Sequence, residues 1–401
     1  MSKTQSILER ASKVLVGNYA RMPVVMTRGE GSRLWDADGR EYLDLFAGFG
    51  GTILGHAHPD LVQAATAQVR RLWAVGNTYH SEPQVELAER IARHAFDGRA
   101  FFCHSGAEAN EAACKLARLA GGRHSPPRWK IISLERSFHG RTLAMIAATG
   151  NPKYREGFGP PVSGFVNVPS FDLPALERAI DAETCGIMME PIQGEGGIHA
   201  AGSAYYAAVR DLCDQRGLTL IFDEVWTGCG RTGRWFGHQH HQSDGRTIRP
   251  DILTLGKALG GGLPVGCMFA RPELAALLTP GTHGCTLGGN PVCMAVAAKV
   301  FEVIERDQLV DHAARLGDLA VERLGSEPRL KGKVREVRGR GLMLGVDLAS
   351  PPERFMDKAL ERGLALNLTA GTVVRVAPAI NISRLDFERG LEGLVDLLAS
   401  L

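Results

Sequence analysis

The stretch PDILTLGKALGGGLP (residues 250–264) places a single lysine, Lys257, between a short apolar run and three consecutive glycines. The run ILTL (252–255) has the length and composition of a buried strand. A lysine crowded against such a strand and bare glycine backbone loses hydration, so its pKa falls, as an imine-forming lysine requires. A lysine after a strand is also common on protein surfaces, so Lys257 alone does not decide the chemistry.

Four other apolar runs precede this one and alternate with helix-period segments such as EPQVELAERIARHAF (82–96). Near-continuous apolar strands separated by helical patterns predict a mainly parallel sheet flanked by helices on both faces. The expected fold class is therefore α/β. The five runs are AFFCHSG (100–106), KIISLE (130–135), CGIMMEP (185–191), LTLIFDE (218–224) and DILTLGK (251–257).

The length of 401 residues suggests two domains, or one large domain with an appendage. Beyond about residue 295 the pattern changes to a helical stretch, two strand-like segments and a terminal helix, which is typical of a smaller α+β domain. The first strands of the chain also lie outside the alternating block, so we expect them to join that domain. The expected parts are an N-terminal segment (1–55), a large domain (56–295) and a C-terminal small domain (296–401).

The composition excludes several classes of protein. With 46 basic and 44 acidic residues, the formal net charge is +2 and no block of like charge stands out, which argues against a nucleic-acid or membrane-surface binder. The start of the chain does not resemble a signal peptide, and no apolar run is long enough to span a bilayer. Eight scattered cysteines without CxxC spacing indicate reduced thiols and no zinc site. We therefore expect a cytoplasmic protein.

Polar residues follow the predicted strands, at the edge where ligands bind in open parallel sheets. The first strand leads into HSGAEANEAACKLARLA (104–120), where Ser105 is a candidate helix N-cap and Glu108 completes a capping box. The small residues after Ser105 leave N–H groups open, which suits an anion, although a well-capped helix explains the pattern equally well. Asp223 ends a buried strand, so it needs a cationic partner or serves as a structural acid.

These three features are more specific together than apart. A lysine for a covalent imine, an aspartate for a pyridinium nitrogen and a helix N-terminus for a phosphate are what pyridoxal phosphate requires. Two other patterns point elsewhere. GCGRTG (228–233) matches a dinucleotide fingerprint, but it lacks the direct succession of strand, glycines and helix. HQHH (238–241) has no second ligand cluster, so we interpret it as a surface loop and not as a metal site.

At this point the sequence resembles the class III (subgroup II) aminotransferases of fold type I, which depend on pyridoxal 5′-phosphate (PLP). It is most similar to the acetylornithine and ornithine aminotransferases. The resemblance covers nearly the whole chain, from LGHAHP (54–59) to VVRVAP (373–378). It rests on FFCHSGAEANEAACKLAR, SFHGRT, GNPKYREGFGP, EPIQGEGG, FDEVWTGCGRTG, PDILTLGKALGGGLPVG, TLGGNP and VRGRGLMLG.

The resemblance implies a role for each residue that matches the family's motifs. Lys257 would bond the cofactor and then carry the proton, while Asp223 would pair with the pyridinium nitrogen. Phe138 and Val225 would pack on the two ring faces, and Thr286 would reach the phosphate of the partner subunit in a homodimer with a shared active site. The implied cofactor-binding residues are Ser105, Gly106, Ala107, Phe138, Asp223, Val225, Trp226, Lys257 and Thr286.

The resemblance also implies how substrates bind. Arg141 would hold the donor's α-carboxylate, Arg375 that of the acceptor, and Glu195 would pair with Arg375 while the donor is bound; paired Arg–carboxylate hydrogen bonds supply the orientation. The implied reaction moves the terminal amino group of N-acetylornithine, or of an ornithine-like amine, to 2-oxoglutarate by a ping-pong mechanism in arginine biosynthesis. One departure is Trp226, because the family usually has glutamine at that position.

The sequence leaves other functions open. The amino donor could be another ω-amine, such as 4-aminobutyrate, N-succinylornithine or a diamine. A nicotinamide-dependent dehydrogenase would use GCGRTG (228–233) and would not need Lys257 as an imine. A non-catalytic binding protein could keep the pocket, but the joint presence of Lys257, Asp223 and the candidate substrate residues argues against it.

Overall fold

The computed structural model describes residues 2–401. Its strands are β1 (Met26–Glu30), β2 (Arg33–Asp36), β3 (Glu41–Asp44), β4 (Arg99–Cys103), β5 (Lys130–Leu134), β6 (Phe165–Val168), β7 (Thr184–Met189), β8 (Thr219–Asp223), β9 (Gln242–Ser243), β10 (Arg246–Thr247), β11 (Ile252–Leu255), β12 (Gly266–Ala270), β13 (Val334–Arg340), β14 (Met343–Leu348), β15 (Leu364–Ala365), β16 (Asn367–Thr369) and β17 (Val373–Val376). Its helices are α1 (Lys3–Val14), α2 (Ala47–Gly50), α3 (Pro59–Arg71), α4 (Glu82–His94), α5 (Gly106–Gly121), α6 (Leu143–Ala148), α7 (Leu173–Ala179), α8 (Ser203–Arg216), α9 (Pro272–Ala275), α10 (Pro291–Arg306), α11 (Leu309–Ser326), α12 (Phe355–Glu361) and α13 (Arg384–Ala399).

The largest sheet has seven strands in the order β4-β12-β11-β8-β7-β5-β6. Neighbouring strands are parallel except at β12, which is antiparallel to both β11 and β4. Strands β5, β7, β8 and β11 are almost wholly buried, which explains their continuous apolar sequences. The α/β fold class and all five predicted strands are confirmed, whereas β6 and β12 were not predicted.

Helix α5 packs against strands β7, β11 and β12 of the largest sheet. Its sequence supplies a buried face of small side chains, including Ala109, Ala112, Ala113 and Ala117. Small side chains allow the helix to approach the sheet closely. The N-terminus of α5 and the carboxyl ends of β8 and β11 therefore meet at one edge of the sheet.

Two smaller sheets use strands from both ends of the chain. β1, β2 and β3 are antiparallel neighbours, with the turn at Asp38-Gly39 between β2 and β3, and β3 pairs in parallel with β15. The other sheet has the order β13-β14-β17-β16. The division of the chain at residues 55 and 295 stays a prediction. Between residues 2 and 401, none of the helices combines the length and apolar character needed to cross a membrane.

Candidate active site

Lys257 lies at the carboxyl end of β11, after Gly256, and begins a short 3₁₀ turn. Its φ is +41°, in the left-handed region that a side chain with a Cβ rarely adopts. Such strain persists where the surrounding structure imposes it, and it is concentrated at functional sites. Gly261 supplies the next left-handed residue, and a Cβ there would lie 2.8 Å from both Leu61 and Val300. Close packing beneath the glycines thus fixes the turn that presents Lys257.

The amine of Lys257 is held in surroundings that disfavour its charged form. Burial lowers its pKa, and the positive charge of Arg375 acts in the same direction, against Glu195, Asp223 and Glu190. Nζ lies 4.7 Å from the ring centroid of Trp226. The lowered pKa agrees with the prediction from the sequence, whereas the contact with the indole of Trp226 was not predicted.

Asp223 ends β8, and its carboxylate is 4% exposed. Its Oδ2 accepts a hydrogen bond from Nδ2 of Asn110 (2.7 Å) and lies 2.8 Å from Nδ1 of His139. Its Oδ1 accepts from the backbone N–H of Val225 (3.0 Å). Thr254 on β11 donates to Oδ1 of Asn110 at 2.6 Å, which orients that amide. A fixed carboxylate thus faces the cavity without a lysine or arginine partner among residues 2–401.

The N-terminus of α5 is capped by Ser105, whose Oγ accepts from the N–H of Glu108 at 3.2 Å. The second half of the predicted capping box differs, because Oε2 of Glu108 accepts from the N–H of His104 (2.9 Å) and from Oγ of Ser105 (3.0 Å). The backbone at Gly106 touches Val225 so closely that a Cβ would lie 2.6 Å from its Cγ1. This approach requires glycine at position 106.

A cavity of about 240 Å³ opens between these elements. It brings together nine of the twelve residues predicted for the site. The other three do not line it: Ser105 is the N-cap of α5, Arg375 lies against the ring of Trp226, and Thr286 is exposed in the loop before α10. The nine are Gly106, Ala107, Phe138, Arg141, Glu195, Asp223, Val225, Trp226 and Lys257, and the lining also includes Asn110, His139, Gly140 and Glu190.

Glu190 follows β7, and its carboxylate accepts the N–H groups of Phe138 (2.9 Å) and Gly194 (3.0 Å). Burial raises the pKa of Glu190 to about 7. Asn110 and His139 were not predicted as site residues, since they reach Asp223 from 113 and 84 residues away in the sequence. The motif SFHGRT contains His139, but nothing in its spacing points to Asp223.

Two guanidinium groups lie near the cavity. Nη1 of Arg375 lies 2.9 Å from Oε1 of Glu195, and Nε of Arg375 donates to Oδ1 of Asn367 at 2.7 Å. Arg375 is buried, and burial lowers the pKa of its guanidinium. Arg141 is exposed and has its guanidinium carbon 4.0 Å from the ring centroid of Tyr154. Arg375, beside the cavity, is therefore paired with a carboxylate, whereas Arg141, in its lining, is stacked on an aromatic ring.

The interpretation of HQHH (238–241) as a surface loop is wrong. His238 is buried with Nδ1 2.7 Å from Oε1 of Glu224, and buried His241 stacks on Tyr206 with ring centroids 3.8 Å apart. Their partners, Glu224 and Tyr206, lie in other segments of the chain, so the polar sequence HQHH alone did not indicate that these histidines are buried. After GCGRTG (228–233) the next helical segment is a 3₁₀ turn at Gly237–His240, which is not the helix of a dinucleotide site.

The chain is similar in sequence to a known protein family and to two of its members. The model of the family "Aminotransferase class-III" matches residues 15–398. An acetylornithine aminotransferase of Myxococcus xanthus is 44% identical over 380 residues, 94% of each chain. One from Caldanaerobacter subterraneus subsp. tengcongensis is 43% identical over 392 residues, 97% of this chain and 98% of the relative.

A solved structure shares the fold. It is an ornithine aminotransferase from Toxoplasma gondii with partial occupancy of PLP at its active site, 31% identical to this chain. The two superpose with a TM-score of 0.92, covering 99% of this chain and 94% of that one.

Proposed function

The chain belongs to the class III aminotransferases, and we propose that it moves the terminal amino group of N-acetylornithine to 2-oxoglutarate by a ping-pong mechanism. Members of this family use PLP and transfer an amino group from a donor to a keto acid, and the fold is the fold type I expected from the sequence. The observation that carries the proposal is the placement of the Lys257 amine and the fixed Asp223 carboxylate around one cavity.

The residues around the cavity fit PLP. The Lys257 amine points into a cavity of about 240 Å³ that also contains the carboxylate of Asp223 and the open N–H groups beside Gly106. Phe138 and Val225 supply apolar surface for a planar ring. Gly106 leaves the backbone of α5 bare where a phosphate would lie, and a helix N-terminus attracts an anion through its unpaired N–H groups and its dipole.

When bound, PLP supplies an electron sink for the carbon that loses its proton. Asp223 would pair with the ring nitrogen and favour its protonated form, because Asn110 and His139 hold the carboxylate in place. The N-terminus of α5, from Gly106 and Ala107, would hold the phosphate, with Ser105 beside it. Phe138 and Val225 would confine the ring between them, and Trp226 would lie at its edge.

Lys257 would first bond the cofactor and then act as the proton carrier. Its lowered pKa keeps a larger fraction of the amine neutral near pH 7 than an exposed lysine would have. A neutral amine can accept a proton from the carbon that bears the donor's amino group and can release it again later in the reaction. The strained backbone at Lys257 fixes the origin of the side chain, which limits the positions its Nζ can reach.

Substrate orientation rests on the two arginines. Arg141 would bind the α-carboxylate of the donor, whose terminal amine then extends toward Lys257. Arg375 would bind the α-carboxylate of the keto acid after Glu195 releases it. The existing pair, with Nη1 and Oε1 2.9 Å apart, supports this exchange, because a carboxylate on Glu195 occupies the position that a substrate carboxylate needs.

Thr286 lies in an exposed loop outside the cavity of its own chain, which supports a role in a partner's site. We therefore propose a homodimer with a shared active site, in which Thr286 contacts the phosphate bound by the partner subunit. The thiols and the composition support a cytoplasmic enzyme.

A donor panel tests the proposal. The PLP-loaded enzyme is incubated with 2-oxoglutarate and N-acetylornithine, ornithine, N-succinylornithine or 4-aminobutyrate, and glutamate is measured. We expect the largest kcat/KM with N-acetylornithine. A larger value with ornithine, N-succinylornithine or 4-aminobutyrate would show that the donor assignment is wrong. Lys257→Ala is the control, with no turnover expected and some PLP still bound noncovalently.

A further inference from the structure

Arg375 is enclosed by aromatic rings as well as by hydrogen-bond acceptors. Its guanidinium carbon lies 4.8 Å from the ring centroid of Trp226, 5.1 Å from that of Phe46 and 5.6 Å from that of Phe49. Phe46 stands edge-on to both of the other rings. A guanidinium over the face of an aromatic ring is attracted to its π electrons, most strongly when water is excluded. We call Phe46, Phe49 and Trp226 the aromatic cage.

The same indole also faces the reactive amine. Nζ of Lys257 lies 4.7 Å from the ring centroid of Trp226, almost the distance at which Arg375 contacts it. Trp226 therefore contacts two groups that are both cationic when protonated. Each cation is attracted to the π electrons of the ring, most strongly where water is excluded.

The indole has little freedom to move. A Cβ at Gly194 would lie 2.1 Å from Cε3 of Trp226, and a Cβ at Gly50 would lie 2.4 Å from its Nε1. Gly50 also has φ +80°, a conformation that favours glycine. The ring is 4% exposed, and its N–H has no hydrogen-bond partner within residues 2–401. Two glycines thus fix the orientation of the ring, whose π electrons contact Arg375 and Lys257.

We propose that Trp226, with Phe46 and Phe49, is a positioning residue that keeps Arg375 desolvated and correctly oriented when Glu195 releases it. Only the Glu195 side of the guanidinium is exchanged for a substrate carboxylate. Asn367 holds the other side, through hydrogen bonds from Nε and Nη2 of Arg375, and the cage holds its faces. The cage therefore acts in the half-reaction that consumes the keto acid. This inference rests on the proposed function.

The test compares two substitutions at one position. Trp226→Phe keeps an aromatic face, and Trp226→Leu removes it while keeping an apolar side chain. We expect Trp226→Leu to raise the KM for 2-oxoglutarate, and the Kd for the unreactive dicarboxylate glutarate measured by calorimetry, by about two- to thirty-fold. Trp226→Phe should raise both constants less than Trp226→Leu does. Because the indole also lies against the amine of Lys257, each variant is judged by the ratio of the KM for 2-oxoglutarate to the KM for the donor, which should rise in Trp226→Leu.

The proposed role of the aromatic cage would be overturned if Trp226→Leu and Trp226→Phe raised these constants equally. It would also be overturned if the KM for the donor rose as much as the KM for 2-oxoglutarate. If Trp226→Leu does not fold, Phe49→Leu replaces it, because Phe49 is 50% exposed and its loss leaves the core intact. It should raise the same two constants, and an unchanged Kd for glutarate would overturn the proposal. Trp129→Phe, outside the site, is the control. If the wild type does not use 2-oxoglutarate, the proposed function fails. The Kd for glutarate still tests whether the aromatic cage positions Arg375.

Discussion

Nδ1 of His139 lies 2.8 Å from Oδ2 of Asp223, and both side chains are buried. Asn110 donates to the same oxygen at 2.7 Å. The two contacts leave Oδ1 with the N–H of Val225 as its one hydrogen-bond donor in the described part of the chain. The carboxylate is thus held through both of its oxygens, and Oδ1 keeps a lone pair that can accept one further donor from the cavity.

Asp223→Asn should reduce kcat by at least about 10²-fold, because it removes a preorganised charge from the site while keeping the shape of the side chain. The steady-state rate with N-acetylornithine and 2-oxoglutarate measures the effect. Asp214→Asn, at an exposed carboxylate paired with Arg210, is the matched control and should leave kcat unchanged. A fully active Asp223→Asn enzyme would contradict the role proposed for this residue.

Lys257→Met should abolish turnover and stabilise the cofactor-free chain. Burial lowers the pKa of Lys257 below its usual 10.5, so the folded chain is penalised wherever the unfolded amine is protonated. That penalty is fully present below the folded-state pKa and disappears as the pH rises through the unfolded pKa. We expect a gain of about 0.5–2 kcal/mol in the free energy of unfolding at pH 7, and less at pH 10.

Urea unfolding of the cofactor-free wild type and variant at the two pH values measures this difference. Lys331→Met, at an exposed lysine, is the control and should show no gain at either pH. A loss of stability in Lys257→Met at pH 7 would mean that the amine has a stabilising partner in the folded chain.

Gly194→Ala should destabilise the fold through Trp226, because the added Cβ would lie 2.1 Å from Cε3 of the indole. Overpacking of this kind costs about 1–3 kcal/mol. Gly76→Ala, where no atom lies within 4 Å of the added Cβ, is the control. In a double-mutant cycle with Trp226→Leu the cost should shrink, since the smaller side chain leaves room. Additive costs would show that the clash lies elsewhere.

Glu195→Gln should shift donor preference toward glutamate. Arg375 would lose the one carboxylate partner it has within residues 2–401, and it would be free to bind an α-carboxylate in both half-reactions. A hydrogen bond between charged groups is strong enough to change the ratio of kcat/KM, glutamate over N-acetylornithine, by roughly ten-fold. Glu336→Gln, at an exposed carboxylate paired with Arg338, should leave the ratio unchanged. An unchanged ratio in Glu195→Gln would show that Glu195 does not determine which donor the enzyme prefers.

The sequence predicted those parts of the site whose signal is local. Lys257 and Asp223 each end an apolar run, and Ser105 precedes a helical pattern, so strand ends and a capping residue were enough to find them. Strand β12, with the sequence GCMFA, was not predicted. Its antiparallel insertion between β4 and β11 depends on pairing that no single segment encodes.

The remaining residues depend on contacts over long sequence distances. His139 and Asn110 become partners of Asp223 only once the sheet has formed. HQHH (238–241) looked exposed because Glu224 and Tyr206, which bury two of its histidines, lie in other segments. The orientation of Trp226 follows from the space left by Gly50 and Gly194, which lie far from it in the sequence.

In the proposed first half-reaction, this chain takes the terminal amino group from N-acetylornithine onto its own cofactor. The direct measurement mixes PLP-loaded enzyme with N-acetylornithine without any keto acid, stops the reaction with acid and quantifies the released cofactor. We expect close to one equivalent of pyridoxamine phosphate per active site, and none from Lys257→Ala. Recovery of unchanged PLP from the wild type, together with conversion by another ω-amine, would contradict the donor assignment. Recovery of unchanged PLP with every amine tried would contradict the catalytic account of the site.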